Sequence, residues 1–313
     1  MPRSYNLSQY EGFIKKRLKL STVVIFLLIP ITISLGIKLL GDRKYMIVSF
    51  LILLYTIVPF FMVFEKRKPK AREIVIIAMM SALTVCASIL CNMTVPIQAG
   101  TALVIVSGIA LGPEAGFLVG ALSRFICNFY AGQGPWTPWQ MFCWGLLGFL
   151  GGMVFNKVDM KNKIKSRNFK IIIGPVLCII FAIIVAYISY LILPNQDDTF
   201  LGWRLYAFGL IGLFVGMLLQ RKRLPVDDFT LAIFTFFSVF IIYGGIMNIC
   251  AMVSSANIPG ANPISISTLK ILYISGVPYD AAHAGGATIC MFLFGDKIIR
   301  KVERIKIKYG IYR

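Results

Sequence analysis

Residues able to grip a ligand gather in a few short stretches of this chain. The densest is AGQGPWTPWQM (131–141), where Gln133, Trp136, Trp139 and Gln140 stand among two prolines and two glycines. Tryptophan offers a large flat surface with one polar handle, and glutamine donates and accepts through a neutral amide. The prolines limit the freedom such a hairpin would lose on binding. Just upstream, FLVGALSRFICNFYAG carries Asn128 and, about two turns below the outer end of a helix, Arg124. A cation inside so apolar a stretch is costly without a partner. The candidates are a carboxylate such as Asp280, a backbone carbonyl or an anionic ligand. GVPYDAAHAGG adds Tyr279, Asp280 and His283, the last two on one helix face. Gln98 in VPIQAG, Asn248, Asn257 and Tyr273 complete the set. Blander roles fit the same residues. The aromatics suit interfacial anchoring, the amides suit solvation, and Asp280 with His283 suits a helix cap.

The missing chemistry discriminates as much as the chemistry present. No GxxxxGK[ST] phosphate loop occurs, so ATP cannot be handled by this chain in the usual way. No HExxH, nucleophile elbow or paired catalytic carboxylates occur either. The single histidine cannot build a multi-histidine metal site, and the seven cysteines, with no CxxC among them, read as small apolar packing residues. No cofactor or metal is implied. The acidic residues fall in loops or at the ends of apolar segments, which disfavours a self-powered secondary transporter.

These residues must be positioned by membrane helices. The sequence is 58% hydrophobic, only 14% charged, and has a mean hydropathy of +0.80. Apolar segments at 21–40, 45–64, 73–92, 100–112, 115–131, 138–156, 170–193, 201–220, 229–253 and 279–297 predict about ten transmembrane helices and no strand, an all-α integral membrane protein. The N-terminal segment is too long for a signal-peptide core and reads as a retained helix. The formal charge of +19 lies in clusters between the segments. Of the 32 lysines and arginines, 26 fall in alternate connections and the two termini, which the positive-inside rule places in the cytoplasm. That pattern argues for a cytoplasmic-membrane protein with both termini inside, and against nucleic-acid binding. The hairpin 131–141 and the stretches around Gln98 and Asn257 then face outward. Residues 1–72 form an N-terminal hairpin with basic flanks, and 73–313 form the working core.

The stretch AREIVIIAMMSALTVCAS sets Ala78, Ser81 and Ala82 along one helix, a small-residue strip suited to close helix packing. Taken with LGPEAGFLVGALSRFICNF, QGPWTPWQMFCWGLLGFLGG and GVPYDAAHAGGATICMFLFG, it resembles the substrate-binding S components of energy-coupling factor (ECF) vitamin transporters, over roughly Glu73 to Lys308. The Trp-Thr-Pro-Trp-Gln hairpin is similar to the cobalamin-uptake branch. The resemblance implies a six-helix core with an outward-facing pocket at the helix ends. It implies a vitamin ligand, a transmembrane coupling subunit and two ATPase subunits as partners, and a partner interface at Ala78 and Ala82 with Ser81 beside them. Ten helices exceed six, so the N-terminal hairpin is an addition and 170–193 with 201–220 an inserted pair.

The leading expectation is thus a non-enzymatic, substrate-specific subunit of an ATP-driven vitamin importer, with cobalamin as ligand. The alternatives are a riboflavin- or queuosine-like heterocycle, or a membrane enzyme on a lipid-linked substrate using Arg124, Asp280 and His283.

Overall fold

A computed structural model describes residues 18–40, 45–65, 71–94, 97–155, 169–192, 202–219, 223–255 and 263–310. Among them run ten helices and no strand. Helix α1 is described from Leu18 and passes through a π segment, Val24–Leu28, into Ile29–Leu40. It is followed by α2 (Tyr45–Glu65), α3 (Ala71–Thr94), α4 (Ala99–Leu111), α5 (Pro113–Ala131), α6 (Thr137–Val154), α7 (Phe169–Ile192) and α8 (Trp203–Leu219). Helix α9 spans Asp228–Ser255 with a π segment at Ser238–Gly244. Helix α10 joins Ile266–Cys290, a π segment Met291–Gly295 and Asp296–Tyr309 without a break.

Three described stretches are long and apolar enough to cross a bilayer: Leu18–Gly36, Ala71–Cys91 and Asp228–Ser255. Shorter apolar helices accompany them, among them Ala99–Leu111. At 1.5 Å per residue α4 reaches only about 20 Å, short of the roughly 30 Å hydrocarbon core. It ends where Gly112 adopts φ +104°, a conformation that glycine takes without penalty, and Pro113 opens α5 at its first turn. The LGPEAG motif is therefore a tight corner between two helices.

The largest departure from the sequence reading is the last helix. Starting it at 279 makes Asp280 a helix-end residue, yet α10 begins at Ile266 and carries Pro278 in its interior. Proline costs a helix one hydrogen bond and so mimics a boundary in sequence. The premise that no carboxylate lies inside an apolar helix is corrected: Asp280 sits well inside α10 and is buried.

Packing sorts the helices into groups. One apolar core draws its buried residues from α3, α4, α5, α6, α9 and α10, with Met80, Val104, Val119, Trp144, Leu231 and Met291 among them. Helices α4, α5 and α6 touch backbone to backbone. A Cβ on Gly108 would collide with the carbonyl of Gly148, and one on Gly120 with the carbonyl of Trp144. A second apolar cluster joins α1 and α2 to α5 and α6 through Ile29, Ile52, Phe117 and Phe149. Ser21 also donates to the buried Glu114 carboxylate at 3.3 Å. Helices α7 and α8 contribute to neither cluster and pack chiefly on each other, with Gly212 against Ala182.

At the other end of the core, Lys306 donates to the Ala110 carbonyl at 2.6 Å and so caps the C-terminus of α4. Arg72 reaches the Tyr309 carbonyl at 3.2 Å. These bonds tie the basic end of α10 to the C-terminus of α4 and to the start of α3.

Candidate ligand-binding site

The α5–α6 hairpin is built on hydrogen bonds of its own. After Ala131 the chain turns at Gly132, φ +103°. Thr137 then organises the turn: its hydroxyl accepts from Gly134 N–H at 3.1 Å and from Asn128 Nδ2 at 3.1 Å, and donates to Gln133 Oε1 at 3.0 Å. The Gln133 amide nitrogen in turn donates to the Phe125 carbonyl at 3.1 Å.

One layer deeper lies Arg124. Its Nε donates to Gln140 Oε1 at 2.9 Å, and its guanidinium lies 5.2 Å from the Trp144 ring centroid. Gln140 Oε1 also accepts from Asn128 Nδ2 at 2.9 Å. The cation is thus held by a neutral amide and an aromatic face, and the Asp280 partnership that the sequence suggested is not made. Helical spacing explains the meeting: Arg124 and Asn128 are four apart on α5, as are Gln140 and Trp144 on α6.

Two polar atoms of this cluster, Asn128 Oδ1 and Trp144 Nε1, are buried with no hydrogen-bond partner among the described residues. Leaving a buried donor or acceptor unpaired costs about 1–3 kcal/mol, so their occurrence beside a cation marks a place where a bound molecule would restore stability. The wall continues on α4, where a side chain at Gly100 would meet both Ser88 of α3 and the Trp144 ring. The adjacent Thr101 hydroxyl lies 3.0 Å from His283 Nε2. His283 meets Tyr243 of α9 edge-on, with ring centroids 4.5 Å apart.

The sequence-predicted residues therefore divide. The structure brings Arg124, Asn128, Gln133, Gln140 and His283 to one end of the six-helix core. Trp139 is half-buried against the α1–α2 cluster. Gln98 occupies the N-cap of α4 without using its side chain there. Trp136 is 41% exposed on the hairpin, and Tyr279 is 71% exposed on α10. Asn257 lies outside the described residues.

Asp280 and Asn248 belong to a separate group. The Tyr206 hydroxyl and Asn248 Nδ2, the latter at 2.8 Å, both donate to Asp280 Oδ2, and Asn248 Nδ2 also reaches the Gly244 carbonyl at 2.8 Å. Tyr206 stacks on Tyr273 at 4.4 Å and on Phe240 at 5.3 Å. Asp280 and His283 share a helix but serve different neighbours, and the sequence reading of them as one pair is corrected. Sequence reasoning missed Trp144, Thr137, Thr101, Tyr243 and Tyr206. The first two were legible, since Trp144 follows Gln140, and Thr137 follows Gln133, by four residues.

On α3, Ala78 and Ala82 are exposed, while Ser81 is buried against the core, where its backbone carbonyl accepts from Ser123 at 3.3 Å.

Residues 68–201 match the family model for the ECF-type riboflavin transporter, S component. The match runs from the basic linker before α3 to just beyond α7, somewhat under half of the chain. No curated protein and no solved structure matches. With the helical membrane architecture, the match supports an ECF S component, a substrate-binding subunit of a vitamin transporter that works with ECF transmembrane and ATPase subunits. The matched family is one of transporter components, not of enzymes.

Proposed function

We propose that this chain captures a compact neutral heterocycle of the riboflavin type at the Arg124–Asn128–Trp144 cluster and delivers it through an ECF-type importer. The observation that carries the reading is the pair of unpartnered buried atoms beside the cation: one acceptor, Asn128 Oδ1, and one donor, Trp144 Nε1. A fused ring edged with carbonyls and N–H groups would satisfy both and take further bonds from the guanidinium. Trp144 and Tyr243 would flank it. The riboflavin wording of the matched family supports the same class.

Cobalamin, expected from the hairpin's amides, keeps less support. Gln133 and Gln140 spend their amides on the hairpin itself and on Arg124 and Asn128. On the positive-inside pattern the hairpin end faces outward, both termini are cytoplasmic, and α3 offers Ala78 and Ala82 to the coupling subunit. Residues 1–72 are an added hairpin, and α7 with α8 an inserted pair.

Two experiments test this. Riboflavin and cobalamin are titrated separately into the purified protein in nanodiscs by isothermal calorimetry. Saturable binding of riboflavin and none of cobalamin is expected, and the reverse would overturn the ligand class. Ala78→Leu with Ala82→Leu should leave that binding intact and abolish co-purification with the coupling subunit, whereas unchanged co-purification would remove the interface from α3.

A further inference from the structure

A cavity of about 1140 Å³ opens between α6, α8, α9 and α10, away from the polar cluster. Its walls are almost wholly apolar, with Phe149 of α6, Leu210 and Phe214 of α8, and Ile242 and Ile249 of α9 among them. The stretch Trp203 to Gly216 of α8 lines it, about 20 Å at 1.5 Å per residue. Arg223 lines it beyond the C-terminal end of α8, and the end at the start of α8 adds aromatic rings to its cations. Trp203 and Lys270 line it together, with the Lys270 ammonium 5.3 Å from the Trp203 ring centroid. The Arg204 guanidinium lies 5.0 Å from the same ring and 5.5 Å from that of Tyr190. The Trp203 indole N–H is buried without a hydrogen-bond partner among the described residues.

We infer that this groove is a binding site for an anionic glycerophospholipid, its acyl chains along α8 and its phosphate at Trp203 and Lys270. A long apolar trough in a membrane protein suits hydrocarbon chains. A basic, aromatic end with an unpaired N–H suits a phosphodiester oxygen at the interface. A helix from a second copy would fill the trough but would bring no anion to the cationic end. The lipid would also wedge the α7–α8 pair against α6 and α9. This inference is independent of the vitamin ligand and of its site.

The test is native mass spectrometry of the full chain, released from nanodiscs of equimolar phosphatidylglycerol and phosphatidylcholine. One retained phosphatidylglycerol is expected. Lys270→Ala combined with Trp203→Phe should lower its occupancy about tenfold. Ala207→Phe, which narrows the trough from α8 and spares the cationic end, should displace it as well. Thermal melting confirms that each variant is folded. Equal retention of the two lipids would overturn the inference. So would occupancy unchanged in the folded variants, or a dimer that excludes lipid. Calorimetric vitamin binding, measured on the same variants, should stay at the wild-type value.

Discussion

Helices α4–α6 and the pair α7–α8 solve the same packing problem differently. In α4–α6, Gly108, Gly116, Gly120 and Gly148 remove side chains where backbones meet, and the three helices lock with almost no tolerance. Lipid gives apolar side chains little reason to prefer one another, so such close contact is what makes a rigid unit in a membrane. That unit carries Arg124, Asn128, Gln140 and Trp144. In α7–α8 glycine serves the pair's own contact at Gly212 and a side-chain contact with α9 at Gly209. The pair reaches the core chiefly through α8, by Tyr206 on Asp280 and Gly209 against Ile241, and leaves an apolar trough beside it. A rigid scaffold holds the buried polar site, and a tethered appendage borders a surface open to the bilayer.

Substitutions sharpen the contrast in order of size. Gly148→Leu should cost upwards of about 3 kcal/mol, because the collision is with backbone that cannot move aside. Fluorescence-detected size exclusion should show loss of the monodisperse protein. Gly212→Leu, at the α7–α8 contact, should be the milder change by the same assay, and equal loss would erase the distinction drawn here. Next comes Arg124→Ala, expected to weaken the vitamin ligand about 10- to 100-fold. Arg124→Lys should rescue little, since an ammonium cannot reproduce the Gln140 bond together with the Trp144 stacking. Tyr206→Phe should cost about 1–2 kcal/mol of thermal stability. A double-mutant cycle with Asp280→Asn should show coupling, while ligand affinity changes by less than about threefold. Trp136→Ala, on the exposed rim, should have the smallest effect on affinity.

Much of this was legible in the sequence because membrane helices announce themselves by length and apolarity. Nine of the ten segments fall close to the observed helices, and the short fourth one and the LGPEAG corner were both readable. The tenth failed for a local reason: Pro278 and the polar residues before it look like a boundary, yet α10 passes through them. Arg124, Asn128 and Gln140 could be found because polar residues stand out in apolar sequence. Their partners could not be fixed, since a neutral amide and an indole satisfy the cation in place of the carboxylate that charge arithmetic favours. Tyr206 was illegible. One tyrosine among many apolar residues of α8 becomes meaningful only when α10 brings Asp280 against it.

The central claim is that the Arg124–Asn128–Trp144 cluster binds the vitamin while the Tyr206–Asp280 group only tethers α8. The most direct measurement is calorimetric titration of riboflavin into nanodisc-embedded wild type, Asn128→Ala and Tyr206→Phe. The account predicts saturable binding to wild type and Tyr206→Phe with closely similar affinity, and binding weakened about tenfold or more in folded Asn128→Ala. Wild-type affinity in Asn128→Ala with loss in Tyr206→Phe would contradict it and move the site to the α8–α10 contact.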